Sequence, residues 1–107
     1  MYARQVSMEL NPNSRTEFVK KLESDILPLL RKQQGFKDML TFVSPDSKYT
    51  FAVSLWDSKQ SAEDSSQKSY AEVTKMLSKL IQGTPKVKTF EVAHSTLHDT
   101  ASKQKAA

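Results

Sequence analysis

Two runs of strand character, "FKDMLTFVS" (36–44) and "YTFAVSLW" (49–56), are separated only by the polar, proline-led "PDSK". A link this short makes the pair an antiparallel hairpin, and the hairpin constrains everything on either side of it. In the second run Tyr49, Phe51, Val53 and Leu55 alternate with Thr50, Ala52, Ser54 and Trp56. Period two sends the first, large and apolar set to one sheet face and the second, mostly small set to the other. The first run is apolar on both parities, with Phe36, Leu40 and Phe42 against Met39 and Val43. Strands of that kind are covered on both faces.

Upstream, "YARQVSMEL" (2–10) alternates as a strand and "NPN" (11–13) is turn chemistry. Ser14 and Glu17 form an S-x-x-E capping signal, and Phe18, Leu22, Ile26 and Leu29 then mark one face of a helix, with Val19 and Leu30 beside them. Pro28 inside that stripe predicts a kink or break near residues 24–28. Gly35 is placed to take the left-handed conformation that ends a helix. Downstream, Asp57 with Gln60 and Ser69 with Glu72 read as two caps, and "SAEDSSQKS" between them has little apolar periodicity. Two helical pieces are therefore expected, about 58–67 and 70–82, the second carrying Val73, Met76, Leu77, Leu80 and Ile81. Gly83 and Pro85 are read as its stop, and "KVKTFEVAHST" (86–96) as the last strand.

The order is β-α-β-β-α-β. Right-handed crossovers turn it into an α+β, ferredoxin-like arrangement: a four-stranded antiparallel sheet with both helices on one face. Residues 1–97 form one domain, and the small, polar residues 98–107 are expected to be a disordered tail. A chain of 107 residues buries enough surface for a core without staples, and with no cysteine it has none. That composition suits a reducing, cytoplasmic setting. No stretch approaches the ~20 apolar residues of a membrane span, and the N-terminus lacks the apolar block of a signal peptide. The net charge is +4, but its basic residues are interspersed with acidic ones, the pattern of a solvated surface.

With helices on one face, the other sheet face is left bare, and its apolar side chains would make a patch that soluble monomers rarely tolerate. A second copy of the chain, related by two-fold symmetry, is the expected cover.

The segments "ILPLLRKQQGFKD" (26–38), "FAVSLWDSKQSAE" (51–63) and "SYAEVTKML" (69–77) resemble the antibiotic biosynthesis monooxygenase-like family. The likeness runs over about residues 2–97, and its most specific elements are the Q-G-F lead into the second strand and the Trp–Asp–Ser exit from the third. The resemblance implies a homodimeric α/β barrel, joined through the sheets, with a cavity between helices and sheet in each subunit. It also implies oxidation of polycyclic aromatic substrates by oxygen without metal or flavin, so no cofactor is expected. In a sister branch that degrades haem, a second tryptophan and a histidine stand where this chain has Ser65 and Lys75. A charged lysine is a poor iron ligand, which argues against haem degradation.

Four residues are pocket candidates. Trp56, the single tryptophan, either stacks on an aromatic ligand or plugs the corner where strand becomes helix, and the plug is favoured. Tyr70 either orients a substrate oxygen or packs and caps. His94, placed in the last strand, is a base near neutral pH, though no carboxylate is positioned to orient it. Four residues along a strand would set His94 and His98 ~13 Å apart, too far to share a metal, so no metal site is expected. Arg4, among apolar neighbours of its own parity, either grips an anionic ligand or pairs across a dimer. No catalytic residue is assigned.

The same element order builds the RNA-recognition motif. Its stacking aromatics on the third strand would fall at positions 50 and 52, where this chain has Thr50 and Ala52. That strand is therefore expected to offer no stacking platform, and nucleic acid is not an expected partner. The expectations are a dimeric monooxygenase-like domain that acts on or binds a small aromatic molecule, or a non-catalytic ligand-binding or structural relative of it.

Overall fold

The computed structural model describes residues 1–96. The tail expected over 98–107, and His98 with it, lie outside the described residues. Four strands, β1 (Tyr2–Leu10), β2 (Phe36–Val43), β3 (Tyr49–Trp56) and β4 (Ile81–Glu91), form one antiparallel sheet in the order β2-β3-β1-β4. A first helical rod is built from α1 (Arg15–Lys21), a π-helical turn (Leu22–Ile26) and α2 (Leu27–Arg31), and the second rod is α3 (Lys59–Leu77). The fold is the α+β, ferredoxin-like arrangement read from the sequence.

The π-turn is how the first rod absorbs Pro28, the second residue of α2. Proline offers no N–H and crowds the carbonyl four residues back, so the preceding turn widens. The Leu27 N–H accordingly bonds to the Leu22 carbonyl, five residues away. The stripe survives: Phe18, Leu22 and Ile26 are buried and pack with Met8, Leu10, Leu77, Leu80 and Ile81. Fully burying side chains such as Phe18 and Ile26 contributes ~1.5–3 kcal/mol each.

The expected break in the second helical region is absent: α3 runs unbroken from 59 to 77. Its buried face is Ala62, Ser65, Ser69 and Leu77, so the helical period passes through small residues that hydropathy counts as polar. Ser69 is not a cap; its hydroxyl donates to the Ser65 carbonyl at 2.8 Å. The true cap is Ser58, one residue past the expected Asp57, with extended backbone and an Oγ that accepts from the Ser61 N–H at 3.1 Å. At the other rod Ser14 makes no side-chain cap, its backbone being already in the helical region and not in the extended conformation that a cap adopts.

Gly83 and Pro85 do not stop a helix. They lie inside β4, which starts five residues earlier than expected and ends at Glu91, so that His94 is not in a strand. Between the pairs Ser7–Lys86 and Glu9–Gln82 the ladder slips, and Gly83, with φ of +70°, and Pro85 occupy the slip. An edge strand tolerates both, since its outer N–H groups have no ladder to feed.

Strand pairing assigns the faces. Arg4–Ser54, Val6–Ala52 and Met8–Thr50 are opposed on the helix side, and Gln5–Val53, Ser7–Phe51 and Leu40–Val53 on the other. A bulge between Phe36 and Asp38 flips the first residue of β2, so that Phe36 joins Met39 and Val43 beneath the helices instead of lying with Leu40 and Phe42. Beneath the helices β3 is therefore small (Thr50, Ala52, Ser54) until Trp56. The outer face carries Leu40, Phe42, Tyr49, Phe51 and Phe90, all exposed, with Tyr49 at 57%. The expectation that β3 offers no aromatic platform is thus corrected, because its aromatics sit on the opposite parity, at 49 and 51. Phe42 and Phe51 stack on each other, centroids 4.7 Å apart at 21°, which covers one face of each ring.

Candidate functional site

Small side chains on β3 and on the facing side of α3 leave a gap where the two elements meet. The gap is a cleft with about 70 Å³ of free space, bounded by Ala52 and Ser54 from the sheet and by Ala62, Ser65 and Ser69 from α3. Apolar walls come from Val6, Met8, Leu22, Ile26, Met39 and Val73. Three of the four sequence candidates meet here: Arg4, Trp56 and Tyr70 all line the cleft.

Trp56 closes one end. It is 2% exposed, lies edge-on to Phe36 at 5.4 Å and 76°, and its indole N–H donates to Ser54 Oγ at 2.9 Å. The only polar atom of the side chain is thereby committed, as a buried indole requires. Trp56 offers a ligand its apolar surface and no donor.

Arg4 reaches in from β1, half-buried, with its guanidinium carbon 4.8 Å from the centre of the Tyr70 ring. Burial pulls the Arg4 pKa below the ordinary arginine value, and the Tyr70 phenol opposes that shift. Among the described residues no Asp or Glu lines the cleft, so none of them supplies an acidic wall to neutralise the cation. Tyr70 is held by the continuous α3, with its carbonyl taken by the Thr74 hydroxyl at 2.9 Å. His94 is exposed and outside the cleft. Lys75 is likewise exposed and absent from the lining.

Sequence reading missed the buried serines. The usable signal is their spacing, since Ala62, Ser65, Ser69 and Val73 recur at helical intervals in a stretch without large apolar residues. Ser54 holds the tryptophan and Ser69 bonds back along its own helix. The Ser65 hydroxyl, in a residue only 4% exposed, has no hydrogen-bond partner among the described residues.

The two elements singled out as Q-G-F and Trp–Asp–Ser form one joint. The Gly35 carbonyl accepts from the Asp57 N–H at 2.8 Å. Gly35 has φ of +86°, and a Cβ there would run into Asp57 Oδ1 and Ser61 Oγ. That joint fixes the start of α3 against the start of β2, and with it the Trp56 end of the cleft.

No family model and no curated protein sequence matches the chain. Solved structures do. The chain is similar to a monooxygenase from the gene ActVA-Orf6 of Streptomyces coelicolor, solved with nanaomycin D, at TM-score 0.76 and 20% identity over 91% of each chain. It is also similar to SnoaB, a cofactor-independent oxygenase from Streptomyces nogalater, at TM-score 0.72 and 13% identity, covering 91% of this chain and 97% of that one. A protein of unknown function from Nitrosomonas europaea gives TM-score 0.74 and 15% identity over 91% and 93% of the two chains. The chain thus has the fold of the antibiotic biosynthesis monooxygenase-like proteins over nearly its full length.

Proposed function

We propose that this chain is a monooxygenase-like domain that binds a small aromatic molecule in the cleft between α3 and the sheet. The observation that carries the reading is the cleft itself: apolar walls, one tryptophan end plate and one arginine, in a fold it has in common with oxygenases. Binding without turnover is the reading we favour within it. The Trp56 N–H is already spent, and His94 stands outside the cleft, so a bound substrate would have to supply its own anion to react with oxygen.

The working unit in this reading is a cytoplasmic homodimer, with the outer sheet faces packed together. Leu40, Phe42, Phe51 and Phe90 on that face supply the apolar area, and a second copy presents the same residues by symmetry. No described helix is long and apolar enough to cross a membrane.

The test pairs two measurements on a panel of hydroxylated aromatics: quenching of Trp56 emission for binding, and oxygen uptake without added metal or flavin for turnover. Saturable quenching without uptake is expected. Uptake that scales with enzyme would make the chain an oxygenase, and no saturable binding of any member would overturn the reading.

A further inference from the structure

We propose that the cleft contains an oxyanion subsite, in which the Arg4 guanidinium grips the carboxylate of a single-ring aromatic acid and the Ser65 hydroxyl supplies a further donor. This rests on reading the cleft as a site for a small aromatic molecule.

Arg4 is a cation with no acidic partner lining the cleft among the described residues. It stands half-buried among apolar walls, no carboxylate of the described residues lines the cleft, and its guanidinium lies over the face of Tyr70. A π face attracts the guanidinium as a charge but leaves its five in-plane N–H donors unused. A carboxylate takes two of those donors in parallel, the geometry in which arginine binds best.

Ser65 points to the same chemistry independently. Its hydroxyl is buried in the wall of the cleft without a partner among the described residues, whereas Ser54 and Ser69 each have one. Buried hydroxyls are nearly always hydrogen-bonded, and one that is not awaits an acceptor. Ser66, which also lines the cleft, lies one helical turn before Tyr70 and keeps this side of α3 polar beside the cation.

Volume sets the size of the ring. The free space of about 70 Å³ is less than the ~150 Å³ of an engineered cavity that admits benzene. Even one ring, its charged edge toward Arg4, therefore enters only as the cleft widens, and a fused three-ring acid demands a far larger opening.

The test uses benzoate, its neutral isostere benzamide, and anthracene-2-carboxylate, each titrated against the full chain with Trp56 emission and ligand-observed NMR as readouts. Benzoate is expected to bind about tenfold or more tightly than benzamide, the margin of one charge-assisted contact. Arg4→Met should erase that margin while leaving benzamide binding in place, and Arg4→Lys should retain part of it. Ser65→Ala should weaken benzoate by roughly threefold or more without lowering the urea midpoint, because no intramolecular bond is lost and a buried hydroxyl without a partner among the described residues is removed. Equal binding of benzoate and benzamide, or a margin that survives Arg4→Met, overturns the subsite but spares the aromatic reading. Tighter binding of the three-ring acid overturns the size class. Should neither benzoate nor benzamide bind up to its solubility limit, the aromatic reading falls and the subsite with it.

Discussion

The guanidinium carbon of Arg4 stands 4.8 Å from the centre of the Tyr70 ring, so the first strand and the long helix meet across the cleft through a cation on a π face. A contact of this kind in a partly desolvated site contributes ~1–2 kcal/mol. Tyr70→Phe, which keeps the π face, should leave stability nearly unchanged. Tyr70→Leu removes the face and should lower unfolding free energy by about 1 kcal/mol, read from urea denaturation. Equal losses in the two variants would mean that the hydroxyl, not the ring, holds the pair.

Gly35 and Gly83 both have positive φ, but only Gly35 is crowded, against Asp57 and Ser61. Gly83→Ala meets open space and should cost only the backbone strain, about 1 kcal/mol. Gly35→Ala adds a steric collision at the joint between β2 and α3 and should cost about 2 kcal/mol or more. Urea midpoints of the two variants, measured side by side, check the order.

The Asp57 carboxyl is held below the ordinary aspartate value of 3.8, first by the Ser61 hydroxyl, against an opposing effect of burial and with help from Ser58. A pKa lowered in the folded state makes the unfolded chain the better proton binder in acid. The stabilisation is therefore present above the unfolded pKa and is lost as pH falls through the folded one. Asp57 is almost fully exposed, so the effect is small and screened. Thermal unfolding followed from about pH 5 down to about pH 2 should show a shallower loss of stability in Asp57→Asn than in the wild type.

Phe42 and Phe51 stack on the outer sheet face, 4.7 Å apart and both exposed in a single chain. If a second copy covers them, light scattering will give twice the 12.1 kDa of one chain at micromolar concentration. The double variant Phe42→Asp, Phe51→Asp should then give a folded monomer, because those side chains support no intrachain core. A wild type that scatters as a single chain would remove the dimer.

Elements whose burial pattern repeats locally were legible in the sequence. β1 and β3 fall where alternation predicts them, β2 where its apolar run does, and Pro28 marks the π-turn to within a few residues. Misreadings came where a residue's environment contradicts its type. Ser65 and Ser69 are polar by composition yet buried, so α3 looked like two pieces. Gly83 and Pro85 break most regular structure, yet an irregular edge strand accepts them, which hid the start of β4.

The candidate site divides in the same way. Arg4, Trp56 and Tyr70 stood out one by one, on a mismatch of charge or size with their neighbours. That they share a cleft, and that His94 does not, was decided by strand register and by where β4 ends. The sequence by itself determined the element order, the hairpin and the place of the irregular turn before Pro28, and it carries small residues along β3 and the second helical region. Only the tertiary structure decided that those small residues leave a cleft, that the indole N–H is consumed by Ser54, and that a lone guanidinium faces into the gap. Local periodicity records which side of an element is buried, because burial repeats with backbone geometry. What lies opposite that side depends on pairing between distant segments, and no local pattern encodes it.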